Sequence, residues 1–420
     1  MRAQWVRLGA VSVLAAGLAA SVPSSADAQA DAGPLGATLQ GMLAAGRQLS
    51  PALRAAALDT AAASAKAGGA AALDDPTVSD SYQYYRDPGV FSGHSVTVTQ
   101  AFPLWGKRSL RREAALADVD AARGREKAAR NELDEKIKVA FAQYDVLSRS
   151  IAVNREVQEL AHRMRAASVA RYGQGGGDQA AVIQVLGEET TAKLEIIRLE
   201  GERAAARARL NALVARPADA PLAAPRPPPL PTTAGLTLAA LLGRARAGNP
   251  TMSAQAAEIA AARTRRTLAD KAWYPDITVG AGPLIQTNNR PVGFAATVGL
   301  NIPVPWGRTA SGQQEAAARL SATQQRYDAT LLEVEGALGE GIARLEAARR
   351  TEALLRREAL PQAQGAFRAV LASYGQGQGD LTAAIAAEHR IHDVQLTLLR
   401  TELAAQTELA GIERLVGGDL

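Results

Sequence analysis

Tyr172-Gly-Gln-Gly-Gly-Gly-Asp178 returns about 200 residues later as Tyr374-Gly-Gln-Gly-Gln-Gly-Asp380. Other pairs keep nearly the same spacing around it. Ser50-Pro51 answers Asn249-Pro250, Trp105-Gly106-Lys107-Arg108 answers Trp306-Gly307-Arg308, and Leu213-Val214 answers Leu415-Val416. A duplication this long means one structural unit made twice, so any reading must explain both copies together. In each copy the glycine-rich element reverses the chain between two helices. Glycine supplies the φ > 0 positions, and Asp178 or Asp380 stands where the next helix needs an N-cap.

Upstream of that turn each copy carries a β region and a long helix. Strands are expected at about 77–85 and 95–102 in the first copy, and at about 276–284 and 292–302 in the second. The last is the clearest. Val292, Phe294, Ala296, Val298, Leu300 and Ile302 share one side, while Gly293, Ala295, Thr297, Gly299 and Asn301 share the other. A continuous apolar face opposite a small, polar one suits a strand between lipid and a watery lumen, and also a half-buried strand of a soluble sheet. A helix of about 60 residues follows, from near Arg108 to Arg171. Its apolar positions Leu133, Ile137, Ala140, Tyr144, Leu147 and Ile151 step by four and three. The second copy does the same through Tyr327, Leu331, Val334, Leu338, Ile342 and Leu345. That period is a coiled-coil seam. Pro361 is expected to kink or restart the second long helix.

These signals divide the chain. Residues 1–30 read as a signal peptide: Arg2 and Arg7, an apolar run to Val22, then small-x-small cleavage sites at Ala26–Ala30. The first repeat spans 31–214 and opens with a helix over about 35–66 that is weakened at Ser50-Pro51. A proline-rich connector, stiff and extended, covers 215–235. The second repeat spans 236–416, and 417–420 is a tail.

Composition narrows the function. With no cysteine, an exported chain has neither disulfide staples nor a lipid anchor on an N-terminal cysteine. After the leader no stretch approaches a transmembrane helix. The 47 basic against 42 acidic residues are interleaved, without the concentrated basic patch of a nucleic-acid partner. No nucleophile elbow, phosphate loop or zinc signature occurs, so no catalytic residue, cofactor or metal site is assigned. His389 and His392 lie one turn apart beside Glu388. Lacking a third and fourth ligand nearby, they read as a solvated helix face rather than a metal site. His94, beside a strand start, reads as interfacial. Trp105 and Trp306 close the outgoing strands, at the level where aromatic rings suit a membrane boundary or pack the strand–helix junction.

Four strands cannot close a barrel, and open sheet edges are not tolerated in lipid. Several chains must therefore share one wall. The order helix, strand hairpin, long helix, Tyr-x-x-Gly turn, helix, all duplicated, resembles the TolC-like outer membrane efflux proteins. So does Asn249-Pro250, from which Ser50-Pro51 departs. Val98-Thr-Gln-Ala-Phe-Pro-Leu-Trp-Gly-Lys-Arg108 is most similar to the heavy-metal cation efflux (CzcC-type) branch. The resemblance implies a mainly α protein with a membrane β-barrel. It would be a homotrimer with a twelve-stranded barrel in the bacterial outer membrane and a twelve-helix barrel in the periplasm. Such a protein is an exit duct, not an enzyme, and docks on a periplasmic adaptor (membrane fusion) protein of an inner-membrane RND-type pump. Tyr172, Gly173, Gly175, Asp178, Tyr374, Gly375, Gly377 and Asp380 would form the periplasmic tip that meets the adaptor. The acidic pore ring some relatives carry beyond the tip has no counterpart, because the matching stretch is Ala383-Ala384-Ile385-Ala386. Divalent or heavy-metal cations are the expected cargo. Organic compounds or polypeptides through the same fold, or a periplasmic coiled-coil scaffold, are the alternatives.

Overall fold

The computed structural model describes residues 35–84, 93–173, 179–229, 235–286, 292–304, 306–375 and 381–420. The expected leader, the cores of both glycine turns and part of the connector lie outside them. In the first copy α1 (Leu39–Leu49) and α2 (Pro51–Gly69) lead into β1 (Thr77–Gln83) and β2 (Gly93–Phe102). Then α3 (Lys107–Gly173) descends and α4 (Gln179–Leu213) returns. The second copy repeats the order with α5 (Leu238–Gly248), α6 (Pro250–Asp270), β3 (Asp276–Gln286), β4 (Gly293–Asn301), α7 (Arg308–Leu354), α8 (Leu360–Gly375) and α9 (Leu381–Val416). A π-turn, Leu355–Ala359, joins α7 to α8 just ahead of Pro361.

The caps are duplicated along with the elements. Thr38 Oγ1 accepts from Gly41 N–H ahead of α1, and Thr237 Oγ1 accepts from Ala240 N–H ahead of α5. Proline then stands at the first position of α2 and of α6. There its missing N–H costs nothing, but the preceding helix must end. The expected weakened helix is thus two helices with a break at Ser50. The junctions differ as their sequences do. Asn249 Oδ1 accepts from Thr251 and Met252 N–H, and its Nδ2 donates to Leu415 O at 2.8 Å. Ser50 makes no side-chain cap bond.

The 67 residues of α3 give a rod about 100 Å long at 1.5 Å per residue. Its predicted seam is buried in full: Leu133, Ile137, Ala140, Tyr144, Leu147 and Ile151. With Met42, Leu43, Phe141 and Leu210 they form the core of the first copy, between α1, α3 and α4. Leu241, Leu338, Leu345 and Ile412 form its counterpart between α5, α7 and α9. Small residues let helices approach. A Cβ on Gly124 of α3 would lie 2.7 Å from the Ala254 Cβ of α6, inside van der Waals contact.

A single layer of elements recurs in the sheet and in the long helices, with α1, α5 and the connector packed onto it midway. The sheet is antiparallel in the order β1-β2-β3-β4, so β2 and β3 join the two copies. Gly282 allows their closest approach, since a Cβ there would meet Val96 O at 1.8 Å. Below the sheet α2 packs on α3, α3 on α6, and α6 on α7. Further down α4 packs on α3, α3 on α9, and α9 on α7 and α8. Each level therefore has two outer members: β1, α2 and α4 on one side, β4 and the α7–α8 rod on the other. The connector does more than bridge the copies. Ala223 and Arg226 N–H donate to Leu35 O and Ala37 O, and Gln406 Nε2 donates to Pro229 O. It is strapped along both halves.

Candidate functional site

The sheet offers the first candidate surface. Its register places Val78, Val98, Ala281 and Ala296 in one row and Phe102, Ile277 and Leu300 in another, with Gln100, Val279 and Val298 between them. All lie on one face. The opposite face carries Ser79, Thr97, Thr99, Thr278, Gly280, Gly282, Ala295, Thr297 and Gly299. No helix covers the apolar face among the described residues: Phe294 is 73% and Val298 74% exposed, and Val78, Ile302 and Leu300 are exposed as well. A water-soluble sheet buries its apolar side, so this one is built for an apolar surrounding or for another molecule. Strands β2, β3 and β4 have 10, 11 and 9 residues, the length of an oblique bilayer crossing. The described part of β1 is shorter, at 7. No helix of the described chain is long and apolar enough to cross a membrane.

Aromatic and charged groups mark the end of the sheet nearest the helices. Trp105 has φ +61° and Gly106 φ +74°, so the chain turns sharply between β2 and α3. The Trp105 ring lies 5.3 Å from that of Tyr274, and its Nε1 donates to Pro275 O at 2.8 Å. Lys271 Nζ donates to Trp105 O. The buried Lys107 Nζ donates to both Asp276 oxygens at 2.9 Å and to Tyr274 O at 2.8 Å. Two junctions from different copies are thereby clamped together. Trp306 takes the equivalent place in the second copy, has no such partners among the described residues and is 87% exposed. At the far end of the sheet Asp80, Tyr82 and His94 cluster, with His94 Nδ1 3.2 Å from Asp80 Oδ2.

The tip offers the second candidate surface, and the tyrosines ahead of its two turns differ. Tyr172 is half exposed, whereas Tyr374 packs against the pair Val185 and Ile385 together with Met164. Gly173 and Gly375 end their helices. Gly175, Asp178, Gly377 and Asp380 lie outside the described residues. Just above, α9 brings its histidines to the first copy; His389 stays exposed, as a solvated face expects, whereas the half-buried His392 corrects that reading. His389 Nε2 is 2.9 Å from Glu188 Oε2, and His392 Nε2 is 3.2 Å from Oδ1 of the buried Asn154. Burial holds the Glu388 carboxyl above its usual range and lowers His392. Among the described residues no cluster of His, Asp and Glu could hold a metal ion.

Midway along the rod a second charged group joins the copies. Arg149 of α3 reaches Asp145 at 2.8 Å and Glu402 of α9 at 2.7 Å. Arg356 of the π-turn reaches the same Glu402 at 2.8 Å and Glu352 at 2.6 Å. Sequence reasoning missed this network. Its acids look like ordinary surface charges until the fold buries them.

An uncovered apolar sheet continued by a long helical rod, made twice and open along both edges, defines a membrane-inserted wall segment rather than a self-contained globule. The family described as Outer membrane efflux protein matches residues 44–216 and 241–418, and the chain belongs to that family. It is a channel-forming protein, not an enzyme. Solved structures agree on the fold. The outer membrane protein VceC from Vibrio cholerae superposes with a TM-score of 0.75 at 19% identity, covering 91% of this chain and 96% of that one. A membrane protein from Pseudomonas aeruginosa gives 0.78 at 19%, covering 90% and 93%. CusC, described in terms of folding and transmembrane channel formation, gives 0.76 at 17%, covering 90% and 92%. No curated protein matches the chain.

Proposed function

We propose that three copies of this chain close into a duct, with twelve strands through the outer membrane and a helical barrel below it, and that the duct exports divalent or heavy-metal cations. One observation carries the closure: among the described residues, both the sheet and the long-helix layer end in two edges that expose apolar side chains. The β1 edge is exposed along its described length. On α4 the exposed Ile183, Leu186, Leu194 and Ile197 lie at coiled-coil spacing. The opposite rod exposes Leu332, Leu354 and Leu371. Joining one edge to the other of the next copy is a heterologous contact, which makes a ring when the rotation closes. Twelve strands satisfy every edge that lipid would leave unpaired.

The tip is the end that meets a periplasmic adaptor of an inner-membrane RND-type pump, through Tyr172, Gly173, Gly175, Asp178, Tyr374, Gly375, Gly377 and Asp380. Exposed turns on rigid supports suit binding. Trp105 and Trp306 sit at the periplasmic boundary of the outer membrane. Cation cargo is supported by the similarity of 98–108 to the CzcC-type branch.

The test is a deletion strain challenged with a panel of divalent metals and organic toxicants, then complemented. Sensitivity to metals alone, restored by the intact gene and not by one with both glycine turns replaced by alanine, is the expected result. Sensitivity to organic compounds alone overturns the cargo. Full complementation by the turn-replaced gene overturns the role of the tip.

A further inference from the structure

The two long helices differ in length by one residue. Trp306 follows Trp105 by 201 positions, whereas Tyr374 follows Tyr172 by 202. In the first copy α3 runs unbroken for 67 residues. Its counterpart takes 47 residues in α7, 5 in the π-turn and 16 in α8. Both rods begin directly after Trp-Gly and end at Tyr-Gly, so the extra residue lies within the helix. The π-turn is where the described rod leaves α geometry, with Leu360 N–H donating five residues back to Leu355 O. A single inserted residue is what such a turn accommodates. Pro361 follows at once. It brings no N–H, and in a regular helix its ring presses on the carbonyl four residues back. The wider turn relieves both. At the equivalent place the first copy has Glu159, not proline.

The insertion has a rotational consequence. Each α-helical residue turns the chain by about 100°. While the π-turn holds the extra residue, α8 keeps the face that packs Tyr374 on Val185 and Ile385. If the same residues formed ordinary α-helix, everything below would turn by about 100° about the helix axis. The turn carries its own fastening. Arg356, its second residue, bonds Glu352 above it and Glu402 on α9. Glu402 is held in turn by Arg149 of the first copy. Arg349, which also bonds Glu352 at 2.8 Å, lies above the turn and does not span it.

We propose that this π-turn is a swivel built into the second rod alone, with Arg356 as its clamp, so that the tip of the second copy can change the face it presents while the first stays fixed. This goes beyond the export reading and depends on neither cargo nor adaptor.

Hydrogen exchange on the intact assembled protein is the first test. Amides of Gln362–Ala366 should exchange at least about tenfold faster than those of the matching α3 segment, 160–164. Deleting Arg357 together with Pro361→Glu, the residue type the first copy has there, makes the second rod as long as α3 and keeps the face of α8, so protection there should rise to the α3 level with assembly unchanged. Pro361→Glu alone keeps the extra residue and should leave protection low, so the difference isolates the turn. The second test labels Glu159→Cys and Ala369→Cys in this cysteine-free chain, diluted among unlabelled copies, and measures spin-label distances. Arg356→Met should add a second distance population, and Arg349→Met should not. Equal protection of the two rods in the unaltered protein, or one unchanged distance population in Arg356→Met, overturns the swivel.

Discussion

Placing arginine at Val298 or at Thr297 asks the sheet which side faces lipid. The two residues are adjacent on β4, within one position of its midpoint, and point to opposite faces. Val298 lies across from Val279 and is 74% exposed on the apolar side, while Thr297 lies across from Gly280 on the small, hydroxyl side. Arginine on the lipid face near the bilayer midplane costs about 2–4 kcal/mol, whereas a lumen-facing position tolerates it. Three symmetry-related copies would raise the cost to roughly 6–12 kcal/mol per assembly if additive. Denaturant unfolding after reconstitution in vesicles, with recovery from the outer membrane fraction alongside, measures it. Val298→Arg should assemble poorly and unfold at clearly lower denaturant, and Thr297→Arg should differ little from the unaltered protein. A soluble sheet would give the reverse, because removing an exposed valine relieves a sticky patch. Equal behaviour of the two variants would refute the assignment of faces.

Three further outcomes follow from the interior. Lys107→Met removes three charge-assisted bonds at the junction of the copies and leaves Asp276 with Leu104 N–H. Because Asp276 is partly exposed, a loss of about 2–3 kcal/mol is expected, below that for a fully buried pair, and thermal unfolding in detergent will show it. Asn249→Ala removes a two-bond cap and the partner of Leu415 O, for about 2–4 kcal/mol, whereas Ser50→Ala at the matching place should be nearly silent in the same assay. Burial raises the folded-state pKa of Glu388 above its unfolded value. The folded chain therefore binds that proton more tightly, and this group's contribution to stability falls as pH rises from about 4.3 through the folded pKa. Glu388→Gln should raise the melting temperature at pH 7, and the gain should vanish below about pH 4. A gain independent of pH would place its cause elsewhere.

Much of the architecture was legible because it rests on short-range periodicity. The alternation from Val292 to Ile302 and the heptad from Leu133 to Ile151 each report which side is apolar, and duplication lets one copy check the other. Contacts between the copies were not legible. Lys107 and Asp276 stand 169 residues apart, and nothing local in either announces the other. The contact of His392 with Asn154 was hidden because periodicity identifies a helix face but not the helix opposite it. The π-turn was half visible: Pro361 signalled a disturbance, but the single extra residue shows only when the two rods are compared. That the chain reverses near 174–178 and 376–380 was legible, and the helices flanking each place pack against one another; the roles expected of Gly175, Asp178, Gly377 and Asp380 lie outside the described residues.

The central claim is that one chain forms only a third of a wall. Native mass spectrometry of particles released from membranes in mild detergent counts the chains directly. Three identical chains per particle, held together without any disulfide, is the result the proposed twelve-stranded duct requires; the open edges by themselves require only that more than one chain share the wall. A single chain that stays folded and dispersed without detergent would contradict it.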